Sequence, residues 1–345
     1  MIFYVINCIK IIMGASNLKL LLTEYEKKRL QAIYDAEQRK IDLYKKEPKL
    51  QQLDDELSKT AISISKQILL SKDSNLLKDL NLKIESLKIE KQNILLSLGL
   101  DDSFLKPKFE CSDCNDTGYI TNNYSTTMCH CLKQKLFNLE YNKSNLSNLE
   151  KDNFNNFSFD LYSNEVNQEK YHSPLSPRKN IEIIVKLAHD FIDNFENSEQ
   201  KNLLFSGNTG LGKSFLSTCI AGELLKKGKT VLYQTAPVML DTIMDYRFGK
   251  EKSSNDIYNN LLNVDLLIID DLGTECTNNM KFSELFNIIN TRLINNVKPV
   301  KTIISTNLSL ERLFSAYDER IVSRLVGNYN ICYFFGDDIR FIKRK

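Results

Sequence analysis

The sequence predicts an α/β protein: a phosphate-loop domain built on a mostly parallel sheet, preceded by a helical arm and a small zinc-binding module. Three observations predict this. GNTGLGKS, residues 207–214, completes the pattern G-x-x-x-x-G-K-S/T between an apolar strand and an amphipathic helix. Short apolar runs alternate with helical stretches beyond residue 181, the signature of a parallel sheet covered on both faces. Four cysteines crowd into residues 111–131. The expected division is a helical, coiled-coil-like arm over 1–105, a zinc-binding module over 106–135, a linker over 136–180 and the nucleotide-binding domain over 181–345.

The arm comes first. From Asn17 to Leu98 there is one proline, Pro48, and no glycine, in a composition rich in Leu, Ile, Lys, Glu and Gln. Leu50, Leu53, Leu57, Ala61, Ile64 and Ile68 advance by three or four, as do Leu77, Leu80, Ile84, Leu87, Ile94 and Leu98, with small gaps, after a polar break at Asp73-Ser74-Asn75. Two such stripes predict an antiparallel helical hairpin or short coiled coil, packing on itself or offering a surface to a partner's helices. Lys91 interrupts the second stripe. Gly99 and Lys106-Pro107 end the helices.

Bulk properties narrow the function. Hydrophobic residues at 42% and charged residues at 26% are those of an ordinary globular protein. Forty-six basic against forty-four acidic side chains leave a net charge of +2, so any nucleic-acid contact must be local. The opening MIFYVINCIKIIM is shorter than the roughly 18 apolar residues a membrane span needs, and it lacks a basic leader and a cleavage site. A cytoplasmic protein without a membrane partner is expected. Residues 1–12 fit no helix pattern, and polar helix-forming sequence begins just after Met13, which marks Met13 as a candidate start.

Cys111-x-x-Cys114 and Cys129-x-Cys131 are two short-spaced pairs across a loop, the arrangement a closed tetrahedral zinc site requires. Gly118 and the Asn-Asp-Thr run at 115–117 supply tight turns, and His130 is an alternative to Cys131 as fourth ligand. A disulfide pair, unrelated thiols and redox chemistry at Cys111 and Cys114 are the competing readings. The first is disfavoured in a reducing compartment, and no thioredoxin-like context surrounds the last. Residues 136–180 then read as an Asn- and Ser-rich linker with aromatic anchors at Phe154, Phe157, Phe159 and Tyr162, closing on SPLSPRKN, which can start a helix.

In the phosphate loop, Gly207, Asn208, Thr209, Gly210, Leu211 and Gly212 form the turn, and Lys213, Ser214 and Phe215 open the next helix. Glycines let the backbone N–H groups point at phosphates, aided by the positive helix end. Lys213 supplies charge to the outer phosphates, and Ser214 a hydroxyl to the Mg²⁺ that ATP brings. DLLIIDD, 265–271, is a buried strand ending in two carboxylates at the sheet crevice. Asp270 is the expected magnesium carboxylate, and Asp271 the group orienting the attacking water. TIIST ends at Asn307, placed to sense the γ-phosphate, and ERIVSRL sets Arg320 and Arg324 on one helix face. Arginine suits transition-state phosphate oxygens; a solvated face paired with Asp318 is the alternative. Tyr246 and Arg247 are candidates for contacting DNA.

GNTGLGKS, LLIIDD, STN and DERIVSRL, in this order over about residues 150–345, resemble the AAA+ ATPases of the bacterial helicase-loader group, the DnaC and DnaI type, whose relatives include the IstB transposition helpers. The resemblance implies slow, Mg²⁺-dependent ATP hydrolysis, with Lys213, Ser214, Asp270 and Asn307 in the roles above. It also implies an arginine finger, Arg324 before Arg320, reaching a neighbouring subunit and therefore self-association. A zinc-binding, helical N-terminal region of such loaders grips a replicative helicase of the DnaB type and delivers it to single-stranded DNA. An IstB-like helper on duplex DNA, or an adaptor that hardly hydrolyses ATP, are the rival implications. Two departures stand out: Asp271 replaces a common Glu, and no helical lid follows the last strand, although Arg340 in the tail is a substitute for the lid's arginine.

Overall fold

A computed structural model of the chain describes residues 2–70, 74–122, 125–140, 146, 149–248, 255–276, 278–295 and 298–342. Asp73 of the polar break and the final Lys343, Arg344 and Lys345 lie outside the described residues, as do the side chains of Ile68, Leu77 and Tyr246. Two units emerge, Leu20–Thr127 and Met1–Lys19 with Met128–Lys345.

The first unit holds α1 (Ile2–Lys46, from Leu20 onward), α2 (Pro48–Leu70) and α3 (Ser74–Ser97). Helix α1 runs through residues 2–12, which fit no helix pattern; an existing helix extends through weak formers at a cost of only about 0.5 kcal/mol each. Pro48 opens α2 at the position where its missing N–H has no helical partner. Helices α2 and α3 pack as the predicted hairpin. Leu50, Leu53 and Leu87 are buried, with Leu57, Ile64, Leu80, Ile84 and Ile94 half-buried.

The stripes are wrong at two positions. Ala61 and Leu98 are exposed, while Leu95 is buried with Leu43 and Leu50. Helix α3 stops at Ser97 because Gly99 is left-handed, at φ +72°, and the Leu100 N–H turns back to Leu95 O at 2.9 Å. Lys91 is no defect in the seam: its ammonium meets an Asp54 carboxylate oxygen at 2.5 Å, and Tyr44 donates to the other. The half-buried charge is thereby paired. Arg39 donates to Phe104 O and Lys106 O, both at 3.0 Å, tying the segment after α3 to α1.

Strands β1 (Tyr119–Asn122) and β2 (Ser125–Met128) form a hairpin between the cysteine pairs, and α4 (His130–Glu140) follows. Much of α4 falls in the stretch that reads as linker, yet it is docked on the sheet. The Gln134 side-chain amide donates to Val231 O at 2.9 Å and accepts from Val231 N at 2.7 Å, satisfying an edge strand as another strand would. Phe137 is buried in the core. The linker aromatics are anchors as expected: Phe154, Phe157, Phe159 and Tyr162 pack on the core, in a segment that includes the single turn α5 (Gln168–Tyr171).

The second unit is the sheet domain. Its strands are β3 (Asn202–Ser206), β4 (Val231–Thr235), β5 (Leu266–Leu272), β6 (Lys301–Thr306) and β7 (Tyr329–Tyr333), in the spatial order β4-β5-β6-β3-β7, all parallel. Near-continuous apolar runs such as LLII of β5 are buried on both faces. One face carries α6 (Pro177–Asp193) and α7 (Lys213–Lys226); the other carries α8 (Ala236–Arg247), α9 (Asn255–Asn263), α10 (Asn279–Leu293), α11 (Leu310–Ala316) and α12 (Glu319–Asn328). A short α13 (Ile339–Ile342) ends the described chain. Ser176 caps α6 by accepting from Lys179 N, with Pro177 in its first turn, so SPLSPRKN does start a helix. Parallel pairing puts the loops after β3, β5 and β6 at one sheet edge, bringing the phosphate loop, Asp270, Asp271 and Asn307 together.

Candidate nucleotide site and cysteine cluster

The loop after β3 needs its glycines. Gly207 has φ +147°, and a Cβ there would lie 2.1 Å from Phe334 O; Gly212, at φ +90°, caps α7, and a Cβ would lie 2.6 Å from the Tyr162 hydroxyl. Tyr162, buried in the linker, donates to Leu211 O at 3.0 Å, and the Ile339 N–H donates to Gly210 O at 3.0 Å. Linker and tail therefore hold the loop from two sides.

Lys213 sits at the centre. Its ammonium donates to Gly207 O at 2.5 Å, Asn208 O at 2.7 Å and Asn307 Oδ1 at 2.8 Å. Burial pushes its pKa down to about 8, against the pull of the Asp271 and Asp270 carboxylates. A cavity of about 360 Å³ opens here, lined by Thr209 to Phe215, Asp271, Asn307, Ile339 and Arg340. Beside it Phe157, Tyr162, Phe215 and Ile339 line a smaller apolar recess.

The two aspartates differ. Asp270 is buried, accepting from Tyr233 OH at 2.7 Å and from the Ser305 hydroxyl, and it is not among the cavity-lining residues. Asp271 does line the cavity, in a left-handed conformation at φ +56°, and burial with the neighbouring Asp270 charge raises its pKa. Burial and the Asp270 carboxylate raise the pKa of the Tyr233 hydroxyl, while Ser214 is exposed at the start of α7. Hydroxyl and carboxylate are the hard oxygen donors that suit magnesium, so Ser214 and Asp270 fit that ion in kind.

The arginines fall elsewhere. Neither Arg320 nor Arg324 lines the cavity: Arg320 forks onto Asp318 at 2.9 and 3.1 Å, and Arg324 donates to Asn290 Oδ1 at 3.0 Å, both exposed on α12. Arg340 is at the cavity, paired with Asp338 at 2.5 Å. Arg247, exposed on α8, pairs with Glu284 at 2.8 and 3.2 Å and stacks over Tyr258.

A family model described as IstB-like ATP binding protein matches residues 167–331, which contain the whole loop, both aspartates, Asn307, Arg320 and Arg324. This stretch is similar to IstB-like ATP-binding proteins. The replicative helicase loader DnaC of Escherichia coli K12 is 31% identical over 142 residues, 41% of this chain and 56% of that protein. DnaC of Buchnera aphidicola subsp. Baizongia pistaciae is 30% identical over 172 residues, 49% of this chain and 66% of its own. The match thus spans between about half and two thirds of these relatives. Among solved structures, the DnaC helicase loader is similar over 49% of this chain and 96% of its own, at 25% identity and a TM-score of 0.40. DnaI is similar over 47% and 85%, at 22% and a TM-score of 0.40.

Ahead of the matched stretch, the sulfurs of Cys111, Cys114, Cys129 and Cys131 all lie within 4.8 Å of one another. Tetrahedral zinc with Zn–S near 2.3 Å needs sulfurs about 3.8 Å apart, so this donor set fits the ion in kind and nearly in spacing. Between the alternatives for fourth ligand, the structure brings in Cys131; the His130 ring stands against Gly228 instead. The knuckle has an organiser that sequence reasoning missed. The buried Asp116 carboxylate accepts from Glu110 N and Cys111 N, both at 2.9 Å, while Asn115 and Asp116 take left-handed turns at φ +49° and +56°.

Among the described residues no helix is long and apolar enough to cross a membrane.

Proposed function

We propose that the protein is a cytoplasmic, ATP-dependent loader of a DnaB-type replicative helicase onto single-stranded DNA. The observation that carries this is the complete phosphate-loop cavity within a domain whose relatives include replicative helicase loaders at 30 to 31% identity. Lys213 and the loop amides hold the phosphates, Ser214 and Asp270 the magnesium, and Asp271, facing the cavity, orients the attacking water. Asn307 reports on the γ-phosphate through its bond to Lys213. Zinc held by the four cysteines stabilises a module too small for a core of its own, and with the helical arm it forms the helicase-gripping part. Asp271, one methylene shorter than glutamate, suits a slow switch.

The test is capture of partners from native lysate with the full chain, with and without ATP. A replicative helicase retained in a nucleotide-dependent manner is the expected result. Retention of a transposase would replace this reading with that of a duplex-DNA transposition helper, which the IstB-like domain also allows.

The exposure of Arg324 on α12, away from its own cavity, suits a finger for a neighbouring subunit. Arg324→Ala is expected to leave nucleotide affinity unchanged and to lower turnover of the assembled protein by about 100-fold or more. Full turnover would pass the role to Arg320 or remove it.

A further inference from the structure

We propose that Ser305 is a positioning residue of the magnesium–nucleotide site, its one hydroxyl fixing both acidic residues of β5. The proposal rests on the reading of the cavity as a nucleotide site. Its ground is the register of β5 against β6: Ile269 stands opposite Ile304, and Leu272 opposite Thr306. Two residues of β5, Asp270 and Asp271, therefore face one residue of β6, Ser305. This is a β-bulge, which commonly serves to re-aim a side chain.

Ser305, 0% exposed, is the single β6 residue opposite these two, and on its other side it pairs with Phe205 of β3. Its Oγ accepts from the Asp271 N–H at 3.0 Å and donates its own proton to Asp270 Oδ1. On the far side Thr306 Oγ1 donates to Leu272 O at 2.7 Å, closing the bulge. Asp271 pays for the arrangement with a left-handed backbone, at φ +56°, that a non-glycine residue adopts only when its surroundings hold it. The result is a division of labour. Asp270 is clamped between Ser305 and Tyr233, and Asp271, which strict alternation would send to the opposite face, is turned by the bulge into the cavity. Alanine at 305 would strand a buried N–H and a carboxylate oxygen together.

The experiment measures affinity for ATP with and without Mg²⁺, and turnover, in wild-type protein and in Ser305→Ala and Ser305→Thr. Metal-free affinity serves as the check that each variant is folded. Ser305→Ala is expected to bind metal-free ATP as wild type does, to lose about tenfold of the affinity gained on adding Mg²⁺, and to lose at least about tenfold in turnover. Ser305→Thr, which keeps the hydroxyl, is expected to retain most of both. An alanine variant with the wild-type Mg²⁺ gain and turnover overturns the proposal, as does a folded threonine variant that fails as alanine does. Wild-type protein that binds no ATP at all overturns the nucleotide reading and this inference with it, an outcome separable from either variant result.

Discussion

Lys213→Ala is expected to weaken ATP binding by about 100-fold or more, equivalent to roughly 3 kcal/mol, while leaving the sheet domain folded. Two effects add. The variant removes the cation that meets the outer phosphates, and it releases the three oxygens, of Gly207, Asn208 and Asn307, that the ammonium now holds within 2.8 Å. Nucleotide must displace those internal acceptors, so the lysine is held in place for phosphate before phosphate arrives. The same burial that holds it lowers its pKa to about 8. Below that value the ammonium is charged and affinity is flat; above it, binding must take up a proton, because phosphates raise the pKa of the bound lysine. Wild-type affinity should therefore fall as pH rises from 8 to 9, by up to about tenfold. Titration with a fluorescent ATP analogue at pH 7, 8 and 9 measures both. Unchanged affinity in the alanine variant would dismiss the loop as a phosphate site.

What could be read in the chain was what lies close together along it. The phosphate loop is eight consecutive residues whose glycines, lysine and serine each have a local reason, and β5 and β6 announce themselves as apolar runs ending in Asp271 and Asn307. The partners of those residues could not be read. Ser305 looks like an ordinary strand residue until the register sets it against two aspartates thirty-five and thirty-four positions away. Gln134 sits in a polar helix ninety-seven residues before the strand edge it satisfies. Tyr162, one of four spaced aromatics, gives no hint that its hydroxyl holds Leu211 O. Lys91 shows the converse error: a charge in an apolar stripe reads as a fault until Asp54 and Tyr44 are brought to it. Side-chain hydrogen bonds over long sequence separation leave no periodicity, and polar residues in elements are where pattern reasoning is weakest.

Replacing Cys111 and Cys114 together by Ser is expected to abolish metal binding and unfold the segment around residues 109–131, with ATP affinity retained. Wild-type protein should carry about one zinc per chain, since four thiols within 4.8 Å of one another form one closed tetrahedral set. The loss should be large because the segment is small and one of its ties to the arm is an exposed ion pair, Lys28 with Glu110 at 2.8 Å. Its hairpin has two strands of four residues, two half-buried and two exposed at β1 and all exposed at β2, and a lone hairpin is marginal in water. Asp116 and the left-handed turns at Asn115 and Asp116 shape the knuckle but bury little apolar surface. Structural zinc contributes on the order of 10 kcal/mol to such a fold. Metal analysis and hydrogen exchange of wild type and variant distinguish the cases: fast exchange in 109–131 with slow exchange kept in β3, β5 and β6 is the expected pattern. Wild-type protein that is folded throughout and free of metal would show that the thiols are packed, not ligating.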